Sequence, residues 1–381
     1  MSRNTQEQDR LIHWIALRHV EGVGNVFYKR LIDLFDGPER VFSAPYDELR
    51  RTEGMPDAVA GRIKRFGDFQ KARDELKKAR EDGVDIVTLS DARYPALLRQ
   101  INDPPPFLYV KGQSDVLPMS PCVAVVGTRF PSAYGEETTE EIVWALVREG
   151  MIVVSGMAKG IDAAAHRAAM THKGRTVAVL GTGINRVYPA GNKQLAHDIA
   201  DHGVMISEYS MDTPPLDTNF PERNRIISGL SLAVIVIEAS LNSGTMITVS
   251  HALDQGRDVF ALPGPIHSMM SQGTNRLIKQ GCGMIDSVDN LVTELKALLP
   301  SREDGASGGP EPLPESYAAI MSALSDEPVD LDTIIVRSKF DTSKVMSILT
   351  EMEIKGIVRQ VPGKRFVKME GKGNGFLPSR E

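Results

Sequence analysis

Met151-Ile152-Val153-Val154-Ser155-Gly156-Met157-Ala158-Lys159-Gly160-Ile161-Asp162 is the stretch that decides the fold. Four apolar residues in a row give way to small residues and glycine, and Ile161 then opens a helical pattern. That order spells strand, tight turn, helix. The same grammar recurs along the chain. Apolar runs stand at 123–126, 177–180, 204–207, 233–237, 259–262 and 284–285, with amphipathic stretches such as 135–149 and 245–255 between them. The run Ala233-Val234-Ile235-Val236-Ile237 is apolar on both of its faces, the mark of a strand covered by helices on each side. Repeated strand–helix alternation predicts an α/β fold, a Rossmann-like doubly wound parallel sheet spanning 86–300. Two earlier runs, 86–89 and 107–110, are expected to extend its edge.

Outside this core the grammar changes. Residues 1–85 read as helices, with breaks at Gly22-Val23-Gly24 and Gly54-Met55-Pro56. Helix, glycine turn, helix, twice over, resembles a helix-hairpin-helix or sterile-alpha-motif module. Either the hairpin amides hold a DNA phosphate or the glycines simply end helices in a plain bundle. Residues 301–315 hold three Gly, three Pro and two Ser, which predicts a flexible linker. Residues 316–381 then offer three short helical patterns and a hairpin around Pro362-Gly363, the outline of a winged helix. From Arg337 to Lys368 there are eight Lys or Arg against three Asp or Glu, so this part is locally basic.

The 381 residues carry 44 Lys plus Arg against 50 Asp plus Glu, a net charge of −6, with 41% hydrophobic residues. Disorder throughout is excluded by that composition, and a basic coat over the whole molecule by that charge. A local basic groove is not excluded. The two cysteines, Cys122 and Cys282, give neither a disulfide framework nor a zinc cluster. The polar start lacks a signal-peptide pattern, and the longest apolar stretch, 230–239, is short of the ~20 residues that span a bilayer. A cytoplasmic protein without a membrane span is expected.

In an open parallel sheet, ligands sit beyond the carboxyl ends of the strands. The residues there are Gly127-Thr128-Arg129, then 155–162, then Gly181-Thr182-Gly183 with Tyr188-Pro189, then Glu208, Glu238 and 242–245. Glycines and hydroxyls at these ends suggest a ligand held against backbone amides, and helix starts at Ile161 and Thr245 favour an anion. No cofactor fingerprint fits. G-x-G-x-x-G would end on Arg186, and no P-loop sequence occurs. Asp162 and His166 lie four apart on one helix, but no third ligand is spaced for a metal. The densest cluster is 219–227, with Phe220 able to stack on a base and Arg223 and Arg225 facing carboxylates such as Glu208 and Glu238. One arginine is expected to be structural and one to touch ligand. An aromatic beside cations is how single strands are held without sequence preference.

Together these motifs resemble the DprA/Smf family. The resemblance rests on Val125-Val126-Gly127-Thr128-Arg129 with 132–135, on 155–162 with Ala165-His166, and on Gly181-Thr182-Gly183 with Tyr188-Pro189. It continues through 220–230 and 243–248, and upstream through Tyr94-Pro95 to Pro105-Pro106. Thr245 and Met246 stand where Ser and Leu are common. The resemblance implies a non-enzymatic protein that binds single-stranded DNA during natural transformation, protects it, loads the RecA recombinase and works as a homodimer, with no cofactor or metal. Carried over by motif, the DNA-binding residues would be Gly127, Thr128, Arg129, Ser155, Gly156, Lys159, Gly183, Phe220, Arg223, Asn224 and Arg225.

Two other readings compete. A LOG-type phosphoribohydrolase would need P-G-G-x-G-T-x-x-E, but the chain has Leu241-Asn242-Ser243-Gly244-Thr245-Met246-Ile247-Thr248, with Thr248 in place of the catalytic Glu. Glu208 or Glu238 would have to substitute. A winged-helix transcription regulator would need sequence-specific duplex binding. Met269-Met270, in a loop of the late core, suggests an adaptable contact surface for self-association.

Overall fold

The apolar runs become strands in the computed structural model, which describes residues 3–117, 121–299, 315–324, 329–354, 358–361 and 365–368. The core strands are β1 (Asp85–Thr88), β2 (Phe107–Gly112), β3 (Cys122–Val126), β4 (Ile152–Ser155), β5 (Thr176–Val179), β6 (Val204–Ser207), β7 (Ala233–Val236), β8 (Asp258–Ala261) and β9 (Gly283–Met284). They form one sheet in the order β1-β2-β6-β5-β4-β3-β7-β8-β9. From β6 across to β9 every pairing is parallel. The two early runs do extend the edge, but β1 pairs antiparallel with β2, and β2 with β6. Only the short helix Ala96–Arg99 separates β1 from β2, so no crossover imposes a parallel return.

The strands split their side chains between two layers, as a period of two requires. Val123 and Val125 of β3 join one core with Ile142 and Leu146 of the helix Ala133–Arg148 and Ala165 and Ala169 of the helix Ile161–Thr171. Ala124 and Val126 join the opposite core with Ile226 and Ile227 of the helix Asn219–Leu230. That second core continues without a break into Trp14, Tyr28 and Leu31 of the N-terminal helices. Residues 1–300 therefore make one compact unit. Glu75 fastens the helical part to the sheet by accepting from Tyr109 Oη of β2 (2.8 Å). At the first glycine turn Gly22 has φ +90°, and a Cβ there would lie 2.8 Å from Val59. That glycine lets the turn pack on the helix Asp57–Arg65, which favours the plain-bundle reading.

The second unit has its own core of Ile320, Ile334, Val345, Leu349 and Phe366. Its helices are Glu315–Ala323, Leu331–Ser338 and Thr342–Ile354, and its strands β10 (Val329–Asp330), β11 (Val358–Val361) and β12 (Arg365–Lys368) pair antiparallel in the order β10-β12-β11. The sequence reading has no β10, because two residues are too few to show alternation. The expected linker, apart from its last residue, and the Pro362-Gly363 turn lie outside the described residues. No described helix is long and apolar enough to cross a membrane.

Candidate nucleic-acid interface

The chain runs outward from β3 through β4 and β5 to β6, then returns to lay β7 on the other side of β3. Loops leaving β3 and β7 therefore diverge, and a crevice opens at their carboxyl ends. Its floor is tied across the switch. Thr128 N donates to the Glu238 carbonyl (2.7 Å), and Thr245 Oγ1 donates to the Gly127 carbonyl (3.1 Å). The Glu238 carboxylate accepts from Ser132 N (2.9 Å) and Ser132 Oγ (2.6 Å) at the start of the helix Ala133–Arg148. Gly135 leaves room for it: a Cβ there would lie 2.6 Å from Glu238 Oε2.

The turn after β4 is held from inside its own helix. Buried Asp162 accepts from the amides of Gly156 and Ala158, both at 3.2 Å. Met157 takes the left-handed conformation, φ +63°, and its carbonyl accepts from Asn192 Nδ2 (2.9 Å). Gly160, φ +76°, presses on the backbone of Thr128 and Arg129, and Ile161 N donates to the Thr128 carbonyl (3.1 Å). Ser155 is buried and donates to the Val125 carbonyl (2.7 Å). After β5, Gly183 packs on the carbonyls of Ser210 and Met211, and its amide donates to the Thr213 carbonyl (2.9 Å).

These bonds revise the expected amide cradle. The amides of Thr128, Gly156, Ala158 and Gly183 already have protein acceptors. Gly127, Gly156, Gly160 and Gly183 make space for neighbouring loops: a Cβ on Gly127 would meet Ile161, and one on Gly156 would sit 2.8 Å from both Arg223 and Asp162. Those four amides are therefore not open to a ligand, whereas the side chains of Arg129 and Lys159 are exposed.

Both expected arginines are buried. Arg223 donates from Nη1 to the carbonyls of Gly156 (2.8 Å) and Val179. Arg225 pairs through Nε with Asp103 (3.1 Å) and through Nη2 with Glu208. The expected division into one structural and one ligand arginine gives way to two buried arginines bonded to protein, and neither is hydrogen-bonded to Glu238. Arg225 lies instead on a cleft of about 370 Å³ between the helical part and the core, lined also by Asn25, Asp103, Glu208 and Tyr209. Phe220 is half-buried, packed against Gly181, with its ring 5.3 Å from that of Tyr188. Asn224, one position on from Arg223, is also half-buried.

Arg129 and Lys159 are exposed, and neither has a hydrogen bond or ion pair among the described residues. Two exposed aromatics that the sequence reading did not single out for stacking also stand on the strand-end turns. Phe130 is 79% exposed beside Arg129, and Tyr188 is 47% exposed over Phe220. The signal for Phe130 was its place directly after a strand-end cation. Burial pulls the Arg223 guanidinium down to about 10 against the pull of Asp162, and nearby Arg129 adds to the lowering. Burial pushes the Asp162 carboxyl up, opposed by Arg223 and the amides it accepts. Arg129, Lys159 and buried Arg223 thus stand with two buried carboxylates, Asp162 and Glu238, an excess of one positive charge that favours anions.

His166 does not act with Asp162. Its Nδ1 bonds Thr176 Oγ1 (2.6 Å), and burial foremost, then Arg223, pulls it down to about 3, so it is neutral. Among the described residues no three His, Cys, Asp or Glu gather as a metal site.

The chain is similar to known proteins in sequence and fold. Residues 85–296 match the family described as DNA recombination-mediator protein A, and residues 305–364 match the DprA winged helix domain. Protein Smf of Synechocystis sp. is 36% identical over 93% of this chain and 98% of its own. DNA processing protein DprA of Bacillus subtilis is 40% identical over 62% of this chain and 80% of its own. The X-ray structure of DprA from Streptococcus pneumoniae superposes with a TM-score of 0.66 at 35% identity, covering 74% of this chain and 96% of that one. A Helicobacter pylori DprA structure, described for its single-stranded DNA binding mode, gives a TM-score of 0.52 at 31% identity, covering 56% and 96%.

Proposed function

This chain belongs to the DNA recombination-mediator protein A family, and on that premise we propose that it binds single-stranded DNA at the β3–β7 crevice with little sequence preference. The observation that carries the reading is two exposed cations, Arg129 and Lys159, without a hydrogen bond or ion pair among the described residues, on strand-end turns, as are the exposed rings of Phe130 and Tyr188. Cations track a backbone, rings stack on bases, and nothing in such a surface reads base edges. Buried Arg223 serves by shaping the crevice, Arg225 by tying its helix to Asp103 and Glu208, and Gly127, Thr128, Ser155, Gly156 and Gly183 by packing the crevice loops. Phe220 supports Tyr188, and Asn224 borders the strand's path.

The family likeness extends the proposal. The protein shields incoming DNA in natural transformation, hands it to the RecA recombinase in the cytoplasm, and works as a homodimer through its core. Exposed apolar side chains at Ile266 (79%) and Met269 (66%) support self-association at the late core. The winged helix is assigned a docking or regulatory role. Its third helix carries Lys344 near the start, but Glu351 and Glu353 later.

The role is binding, not catalysis. A phosphoribohydrolase would need a carboxylate available to its substrate, whereas Asp162 is bonded to the Gly156 and Ala158 amides, Glu238 to Ser132, and Glu208 to Arg225 and Asn25. Mobility-shift titration with single- and double-stranded DNA of equal length, beside a nucleoside-monophosphate cleavage assay, tests the reading. Tighter single-strand binding with no cleavage is expected. Equal duplex affinity or cleavage would overturn it.

A further inference from the structure

We propose that Asn192 is a positioning residue that locks the cation after β4 to the aromatic after β5, so that Lys159 and Tyr188 meet a DNA strand as one rigid pair. The inference rests on the single-strand reading above and assigns a role to a residue that does not itself touch DNA.

Asn192 ends the short turn Ala190–Asn192, four residues after Tyr188, and is 5% exposed. Its Nδ2 leaves its own loop and donates to the carbonyls of Met157 (2.9 Å) and Ala158 (3.4 Å). Lys159 follows directly. Met157 sits at φ +63°, a conformation that side-chain-bearing residues avoid and that persists only where the surroundings fix it. Here they fix it from both polarities. Asp162 takes the turn's amides, and Asn192 supplies donors to its carbonyls. Asp162 belongs to the helix that the turn leads into, so it fixes only the local bend. Asn192 belongs to the neighbouring loop, so it fixes the distance from the bend to Tyr188. Tyr188 is fixed in turn by Phe220, on the helix whose Arg223 also bonds the Gly156 carbonyl. Cation, clamp and ring form a closed circuit.

The residue type follows from the chemistry. Two carbonyls need a neutral donor of short reach. A carboxylate offers none, and alanine leaves buried carbonyls without a partner.

The experiment measures single-stranded DNA affinity of the full chain against salt for wild type, K159A, Y188A, N192A, N192D and the doubles K159A/Y188A and K159A/N192A, with thermal melting of each. N192A and N192D are expected to weaken binding roughly tenfold, the order of one charge-assisted hydrogen bond. Their salt slope should fall by about 0.7, one phosphate contact, as in K159A. Adding K159A to N192A should cost little more. A stabilising role alone would lower the melting temperature and leave the slope untouched. N192A with wild-type slope, while K159A loses its contact, would overturn the proposal. So would full additivity of K159A and Y188A, an arm that needs no change at Asn192 and stands even if N192A fails to fold. K159A with unchanged affinity and slope would overturn the single-strand reading at this residue, and the proposal with it.

Discussion

At Arg129 and Lys159 the structure leaves a guanidinium and an ammonium group with no hydrogen bond or ion pair among the described residues, and Arg129 lies near buried Arg223, whose own charge is already disfavoured. Each should give ~1–3 kcal/mol to single-strand binding, the range of a charge-assisted hydrogen bond, and alanine at either should lower the salt slope by about 0.7. Titration at several salt concentrations checks both numbers, and wild-type values in both variants would remove the cations from the interface. His166 makes a second prediction. Its folded pKa, about 3, lies below the usual 6.5, so below pH 6.5 the unfolded chain takes up a proton that the folded chain refuses. Its contribution is complete above pH 6.5 and is lost as pH falls toward 3. Urea melts at pH 7 and pH 5 should show lower stability at the acid end, and His166→Asn should shrink that difference. The sequence named Arg129 and Lys159 correctly as strand-end cations, but it could not separate them from Arg223 and Arg225. All four are arginine or lysine lying between one apolar run and the next. What distinguishes them is the company of Gly156, Asp103 and Glu208, brought together by folding across long separations.

Among elements, the parallel strands were the most legible, because Val, Ile and Ala on both faces leave little other choice. The direction of β1 and β2 was not legible, since an antiparallel edge strand and a parallel one read alike over four to six residues. The strand-end turns were half legible. A glycine that admits a phosphate and one that admits a neighbouring loop have the same letter, and a Cβ at Gly127, Gly156, Gly160 or Gly183 would collide with a neighbouring segment. Gly160 puts this to a test. At φ +76°, wedged against Thr128 and Arg129, it holds the turns after β3 and β4 together. Gly160→Ala should destabilise the fold by about 1–3 kcal/mol, through backbone strain and overpacking. It should also weaken single-strand binding, because both cations sit on the turns it spreads. Chemical denaturation paired with DNA titration checks this. Wild-type affinity in a folded Gly160→Ala protein would show that the two turns act independently.

For the whole molecule, the continuous core from Trp14 to Leu277 makes residues 1–300 a single compact unit, and the C-terminal unit has a core of its own. Truncation after Pro300 should therefore give a folded protein that binds single strands at high salt nearly as well as the full chain, any loss being confined to low salt. A large loss at high salt would make the winged helix a principal DNA-binding element. The same truncated protein should have the mass of a dimer at micromolar concentration by light scattering, and a monomer mass would count against the core as the interface. One consequence of the strand order concerns the growing chain. β3 lies in the middle of the sheet, yet β7, its partner on one side, comes only at Ala233–Val236. Arg129, Lys159, Tyr188 and Phe220 all leave the ribosome earlier. Until β7 follows, β3 presents an open, apolar strand edge, the kind of surface that pairs with foreign chains. A nascent polypeptide stalled before Ala233 thus carries every grasping side chain but lacks the wall they work against. It is a ready client for a chaperone, and the proposed capture of DNA has to wait for that one late strand to slot home.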